Sequence, residues 1–397
     1  MFRDSDVPTL TPMAQTSASS ETGSLRDDVY AYGTSFEAWL ASRPAELVAA
    51  ARPLAAYSER VAVTSELMRA LFDEGWARYG WPEQVGGLGG GILHRAAMWE
   101  ALARHGLPAM ALFEHLEILA PTLVAMGDQG FVARTLPRFL RGEALWSQGF
   151  SEPEAGSDLA SLRTRAVAAD GSYLITGRKI WTSWARYATW CLVLARTGTP
   201  ESRHRGLTAF AVDLRSPGVE VRPIEQANGT DELAEVTFDA VPVGPDRIVG
   251  ERGGGWRVAM HILAHERGTF AWFRHNFLYR QLLDTAEAGT PATDSLLGDA
   301  LLDLAAVRAS SHLGLHTHAT GAPLGPKAAF VKLLLAASEQ SVNDWALASD
   351  PDLAVGTQDA HTATRRQDYL FSRIVTVYGG SQQMQLDTIA KQILRLP

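Results

Sequence analysis

The sequence predicts an α+β protein, mostly α, with a β domain set between an N-terminal helical domain and a C-terminal helical bundle. Three observations carry this. Apolar residues recur at helical spacing at both ends of the chain, as in Phe36, Trp39 and Leu40, and again in Leu263, Phe270 and Phe273. Between them the period changes to alternation, in short runs bounded by turn residues. Glycine and proline cluster at the junctions, at Gly142 and from Pro245 to Gly255.

Taken in order, residues 1–25 are rich in Ser, Thr, Pro and Asp and predict a mobile tail. Residues 26–143 predict the first helical domain, with Leu67, Leu71 and Trp76 on one face and a buried helical run from Pro108 to Ala125. The stretch from Gly75 to Gly91 breaks the helices into a long loop, because Trp81-Pro82 cannot continue a helix. Residues 144–249 predict the β domain. Arg163–Ala168 and Tyr173–Thr176 flank the hairpin dipeptide Asp170-Gly171, and further strands are expected over 179–182, 189–195, 207–214, 219–224 and 234–241. Residues 250–397 predict the bundle: one helix from Trp256 to Leu278, one from Asp294, one over 327–347, and a last pair broken at Tyr378-Gly379-Gly380-Ser381. No repeat of solenoid length occurs.

Composition narrows the function. The chain has 397 residues, 46% of them hydrophobic, and a net charge of −8, with no long basic segment that would fit a nucleic-acid partner. No apolar stretch reaches the length of a membrane span, and no signal-peptide pattern opens the chain, so a cytoplasmic protein is expected. Cys191 lies in an apolar run and is expected to pack in the core. His261 and His265 are four apart, but no third ligand follows at a convincing distance, so no metal site is expected.

The chemistry concentrates between Trp146 and Ser183. A loop, Phe150-Ser151-Glu152-Pro153-Glu154-Ala155-Gly156-Ser157-Asp158, precedes a strand that ends Trp181-Thr182-Ser183. Backbone N–H groups, hydroxyls and an indole face suit a planar heteroaromatic ligand with polar edges. The plain alternative for Trp181 is a core residue of the β domain. The two hydroxyls that follow it argue for a site.

The order of GW…WPEQVGG (75–87), FSEPEAGSDL (150–159), GRKIWTS (177–183), IVGERGGGW (248–256), LAHERGT (263–269) and YGGSQQMQ (378–385) resembles the acyl-CoA dehydrogenases, in wording most like an actinobacterial branch. The resemblance implies an N-terminal helical domain, a middle β domain and a C-terminal four-helix bundle. It implies FAD as cofactor and α,β-dehydrogenation of an acyl thioester, carried by coenzyme A or by acyl carrier protein. It also implies a homodimer or homotetramer, and an electron-transfer flavoprotein or similar acceptor. Carried over by position, Gln148, Phe150, Ser151, Gly156, Ser157, Trp181, Thr182 and Ser183 would hold the isoalloxazine, with Ser157 also near the thioester. Trp181 would cover one flavin face and Ser183 would bond the N5 region. Gly380, Ser381 and Gln383 would lie near the adenosine, and Arg267 and Gly379 near the substrate.

One branch of the family supplies its base from a glutamate at the position of Gly379; here that base is missing. Other branches place it in a Glu-Arg pair on the first bundle helix, and this chain has Glu266-Arg267. Glu266 is therefore the expected catalytic base, with Glu152 or Glu154 next in line. Apolar neighbours at Ile262, Leu263 and Phe270 would raise its pKa by burial. The family's pyrophosphate-gripping motifs are absent, and Arg274, Arg280 and Lys327 are candidate substitutes. Two other functions fit the same fold: a flavin-dependent monooxygenase or oxidase, and a non-catalytic subunit of a heteromeric dehydrogenase. Trp256, Phe270, Trp272 and Phe273 either shape an acyl pocket or fill the core.

Overall fold

A computed structural model describes residues 20–42, 47, 52–107, 111–267, 269–287, 294–322, 324–355 and 359–396. The expected tail is only partly described, and that part is helical. Helix α1 spans Ser20–Ser42, so residues 20–25 are helical, and the rest of the tail lies outside the described residues. Next come α2 (Tyr57–Asp73), α3 (Ile92–Arg104), α4 (Ala111–Met126) and α5 (Gln129–Leu140). The loop between α2 and α3 is anchored from below. Arg95 Nε donates to Glu117 Oε2 at 2.8 Å, its guanidinium lies over the Trp81 ring, and Nη1 donates to the Gly80 carbonyl.

The β domain has eight strands: β1 (Trp146–Gly149), β2 (Arg165–Ala169), β3 (Ser172–Ser183), β4 (Trp190–Arg196), β5 (Leu207–Asp213), β6 (Val219–Pro223), β7 (Leu233–Val243) and β8 (Ile248–Val249). Their order is β6-β7-β3-β2-β4-β5-β8, with β1 parallel to β4. The Asp170-Gly171 hairpin forms as expected: both residues have positive φ (47° and 78°), which a two-residue turn between twisted strands requires. The two strands expected over 173–176 and 179–182 are one strand, β3, kept continuous across Gly177 by register shifts against β7.

Strand β4 explains how the β domain joins the helices. Trp190, Leu192 and Leu194 belong to the core shared with the helical regions, while Cys191, Val193 and Ala195 face a second core inside the β domain. It is buried on both faces, so its sequence reads as a continuous apolar run instead of an alternation. Burial pushes the Cys191 thiol up to about 12, which fits packing and not reactivity.

The bundle comprises α6 (Gly255–Arg267), α7 (Thr269–Glu287), α8 (Asp294–Ala319), α9 (Ala328–Ser349), α10 (Ala360–Phe371) and α11 (Gln382–Thr388). The stretch expected to be helical from Trp256 to Leu278 is helical on both sides of position 268, which lies outside the described residues, as α6 and α7. Gly255 brings α6 hard against β5: an added Cβ there would stand 2.8 Å from the Leu207 and Thr208 backbone. Among the described residues, no helix is long and apolar enough to cross a membrane.

Candidate active site

The loop that opens the site is locked by a buried ion pair. Glu152 accepts from the backbone N–H groups of Arg163 (2.6 Å) and Thr164 (2.9 Å) and from Lys179 Nζ (2.8 Å). Lys179, fully buried on β3, also donates to the Phe150 carbonyl at 3.0 Å. Burial pushes the Glu152 carboxyl up, but Lys179 and the Thr164 and Arg163 bonds together hold it below the usual carboxylate range. Glu152 is thus committed to the loop and is withdrawn as an alternative base; Glu154 is exposed on the same loop.

Around this latch, Gln148 is half-buried on β1, Phe150 is buried, and Ser151 is half-buried with its carbonyl accepting from Ile180 N–H at 3.0 Å. Gly156 and Ser157 are exposed, and a Cβ added at Gly156 would meet nothing in this chain. The chain itself therefore imposes no need for glycine there.

Trp181 is 56% exposed, which removes the core alternative for it. Its φ of 58° is a conformation L residues seldom adopt, and it sits at the register shift between Lys179 and Thr182. The bulge turns the indole outward. Thr182 goes the other way: it is wholly buried, and its Oγ1 has no hydrogen-bond partner. Thr182 and Trp181 do not share a face, so the expectation that the Thr182 hydroxyl joins Trp181 at the flavin is corrected. The bulge turns Trp181 out while Thr182 stays in the core, and only the Thr182 backbone could serve. Ser183, the last residue of β3, is half-buried.

The second cluster joins α6, α9 and the Tyr378–Ser381 turn. Gly379 has φ +65°, and a Cβ built on it would stand 2.5 Å from Glu266 Oε1, 3.1 Å from Glu266 Cδ and 3.6 Å from Lys332 Cε. The Glu266 carboxylate thus fills the place where a side chain at 379 would begin. Arg267 Nε donates to the Gly379 carbonyl at 2.9 Å, so the Glu-Arg pair grips the turn with one residue and reaches past it with the other. Burial pushes the Glu266 carboxyl above the usual carboxylate range, against the opposing pull of Lys332 and Arg267. Gly380 (φ +95°) leaves room for the Arg267 guanidinium and accepts from Gln385 Nε2 at 3.0 Å.

Ser381 caps α11, accepting from Met384 N–H at 3.3 Å, and Gln383 is exposed. Of the proposed pyrophosphate substitutes, Arg274 is clasped to buried Glu339 through both carboxylate oxygens, and Arg280 pairs with Asp284 on its own helix. Lys327 is exposed. Phe270, Trp272 and Phe273 are buried in the bundle core, while Trp256 is half-buried beside His204. His265 packs between His261 and His318, and burial pushes its pKa down to about 2. Among the described residues no group of three His, Cys, Asp or Glu side chains could hold a metal ion. Two open depressions of the β domain, one along Arg186 to Ala188 and the other along Thr176 to Arg178, are lined by neither Trp181 nor Glu266.

Sequence reasoning missed Lys332, Tyr378 and Gln385 at the second cluster, and the latch role of Lys179. Lys332 left a signal: a single lysine in the apolar run Phe330-Val331-Lys332-Leu333-Leu334-Leu335.

The helix–sheet–bundle order is that of the acyl-CoA dehydrogenases, and the chain belongs to that family as an oxidoreductase of its type. The family's N-terminal domain matches residues 42–143, its middle domain 147–241 and its C-terminal domain 253–394. Among curated proteins the chain is 36% identical over 384 residues to acyl-CoA dehydrogenase IpdE1 of Mycobacterium tuberculosis, covering 93% of this chain and 98% of that one. Solved structures of the same fold include the Tcur3481-Tcur3483 steroid ACAD, with a TM-score of 0.78 and 24% identity, covering 94% of this chain and 98% of that chain. The prolyl acyl carrier protein oxidase AnaB aligns with a TM-score of 0.72 and 18% identity, covering 95% and 100%.

Proposed function

We propose that this chain dehydrogenates an acyl thioester across its α,β-bond, with FAD as cofactor and Glu266 as the base. The observation that carries this reading is the contact at Gly379. The family offers two places for the base, and here the carboxylate from one occupies the space the other has vacated. A glutamate raised by burial is a stronger proton acceptor than a solvated one, and a desolvated site strengthens its hold on the α-proton.

The residues present fit a flavin. The outward indole of Trp181 offers a stacking face, Ser183 ends the same strand two residues on, and the loop from Phe150 to Ser157 is tied to that strand by the Glu152–Lys179 latch. When bound, the flavin supplies the hydride acceptor. The Glu266 carboxylate takes the α-proton, and the C–H electron pair becomes the new double bond. Arg267 fixes the Gly379 carbonyl of the turn beside the carboxylate. Gly380, Ser381 and Gln383 are assigned to the adenosine side, and Ser157 to the thioester. The domain division at 26–143, 144–249 and 250–397 belongs to the same reading, as does reoxidation by an electron-transfer flavoprotein.

Glu266→Gln tests it. The purified variant should keep its flavin absorbance, yet bleaching by a panel of acyl-CoA and acyl-carrier thioesters should fall by about three orders of magnitude or more, the order expected for loss of a positioned base with its activation. Retained bleaching would move the base elsewhere. A heteromeric assembly is a second reading, favoured by the similar structures whose names pair two proteins, Tcur3481 with Tcur3483 and ChsE4 with ChsE5. A homo-oligomeric mass for active, flavin-loaded protein would reject it.

A further inference from the structure

Lys332 is 3% exposed and lies on α9 among Val331, Leu335 and Ala336, all buried. An ammonium in such a place costs several kcal/mol unless something answers its charge. Its Nζ lies 3.9 Å from the centre of the Tyr378 ring, a cation–π seat one residue before Gly379. Its Cε and the Glu266 carboxylate both lie within 4 Å of the point where a Cβ on Gly379 would stand. Three elements thus meet at one atom-sized gap: α6 brings the carboxylate, α9 the Cε end of the Lys332 side chain, and the 378–380 turn the ring that seats its ammonium and the space.

The charges around the pair sort cleanly. Glu266 faces Lys332 and Arg267; Lys332 faces Glu266, Glu339 and Arg267. Glu339 is already clasped by Arg274, and the Arg267 Nε is spent on the Gly379 carbonyl. Lys332 and Arg267 both act on Glu266, Lys332 the more strongly of the two.

We propose that Lys332 is the positioning residue of Glu266, its ammonium held on the Tyr378 ring so that the half-buried carboxylate stays charged and directed at the gap beside Gly379. This rests on the assignment of Glu266 as base. Burial pushes the carboxyl toward its protonated form, and the neighbouring ammonium opposes this. The ammonium is itself pushed down by burial to about 8, so the pair weakens above that pH as the lysine discharges.

The test is a titration of Glu266 in full-length holoprotein, read as the protonated-carboxyl stretch in infrared difference spectra against Glu266→Gln. In Lys332→Met the midpoint should move up by about one pH unit or more, equivalent to a tenfold change in ionisation. Lys332→Arg should bring it most of the way back, a rescue that a purely structural role would not give. Tyr378→Leu, which removes the seat but keeps the charge, should shift the midpoint the same way by less, and it serves alone if Lys332→Met does not fold. The acid limb of kcat/KM for the acyl-CoA that best bleaches wild type should move in parallel. An unmoved midpoint in the folded variants overturns the proposal even if Glu266→Gln is inactive. Turnover by Glu266→Gln would instead overturn the base assignment, and the infrared midpoint would still judge the Lys332–Glu266 coupling.

Discussion

Trp181 shows how much one residue's environment decides. In sequence it is a tryptophan in a strand, and strands bury tryptophan. In the structure it stands outward on a bulge at positive φ, a conformation that costs on the order of 1–3 kcal/mol and persists where surrounding structure enforces it. Trp181→Ala should therefore change the unfolding free energy of flavin-free protein by less than about 1 kcal/mol, where loss of a buried tryptophan costs about 3–5. The same variant should bind FAD about tenfold more weakly in a fluorescence titration, the weight of one lost stacking face. A large stability loss with unchanged flavin affinity would return Trp181 to the core. Gly379 makes a complementary point. Its glycine identity was legible as a missing base, but that its empty side-chain position is filled by Glu266 needed coordinates.

At the scale of elements, the loop 150–164 holds its shape through β3 and not through its own turns. Lys179 reaches back from the strand to both Phe150 and Glu152. Lys179→Met leaves a buried carboxylate facing two N–H groups without its cation, and should cost about 3 kcal/mol in urea unfolding at pH 7. The pH dependence has a definite sign. The Glu152 carboxyl is held below its usual range, so its stabilisation is present above that range and is lost as pH falls through the lowered value. The cost of Lys179→Met should therefore shrink in acid; a cost constant down to pH 4 would mean that the lysine only fills space. The Glu-Pro-Glu wording marked a loop, yet nothing local told which glutamate was buried. That follows from the pairing of the loop with a strand some 27 residues on.

Across the whole molecule, the helical regions and the β domain meet at another buried carboxylate. Glu232, just before β7, lies beside Tyr57 of α2 with Arg60, while Arg274 of α7 and Asp368 of α10 approach from the bundle. Trp184 fastens the same place, donating its backbone N–H to the Glu232 carbonyl at 2.6 Å and its indole N–H to the Tyr57 hydroxyl. Burial pushes the Glu232 carboxyl up to about 7. A carboxyl raised on folding stabilises below its unfolded value, and that contribution is lost as pH rises through the folded one. Glu232→Gln should thus raise the melting temperature at pH 8 more than at pH 5, by an amount worth up to about 3 kcal/mol. An equal effect at both pH values would show that the carboxyl does not titrate there.

The order of helices, sheet and bundle was readable because hydrophobic period is a local property, and the Asp170-Gly171 turn because its φ requirement is local too. The motif wording alone was enough to determine the family, and the glycine at 379 was enough to direct attention to Glu266. Only the tertiary structure decided which charges share a space. It turned Trp181 out and Thr182 in, tied Glu152 to Lys179, committed Arg274 to Glu339, and brought Lys332 to Glu266 from a helix 66 positions away in the chain. The reason is physical. Burial and Coulomb energy depend on distance through space, and a lysine in an apolar run carries no local mark of the carboxylate it will meet.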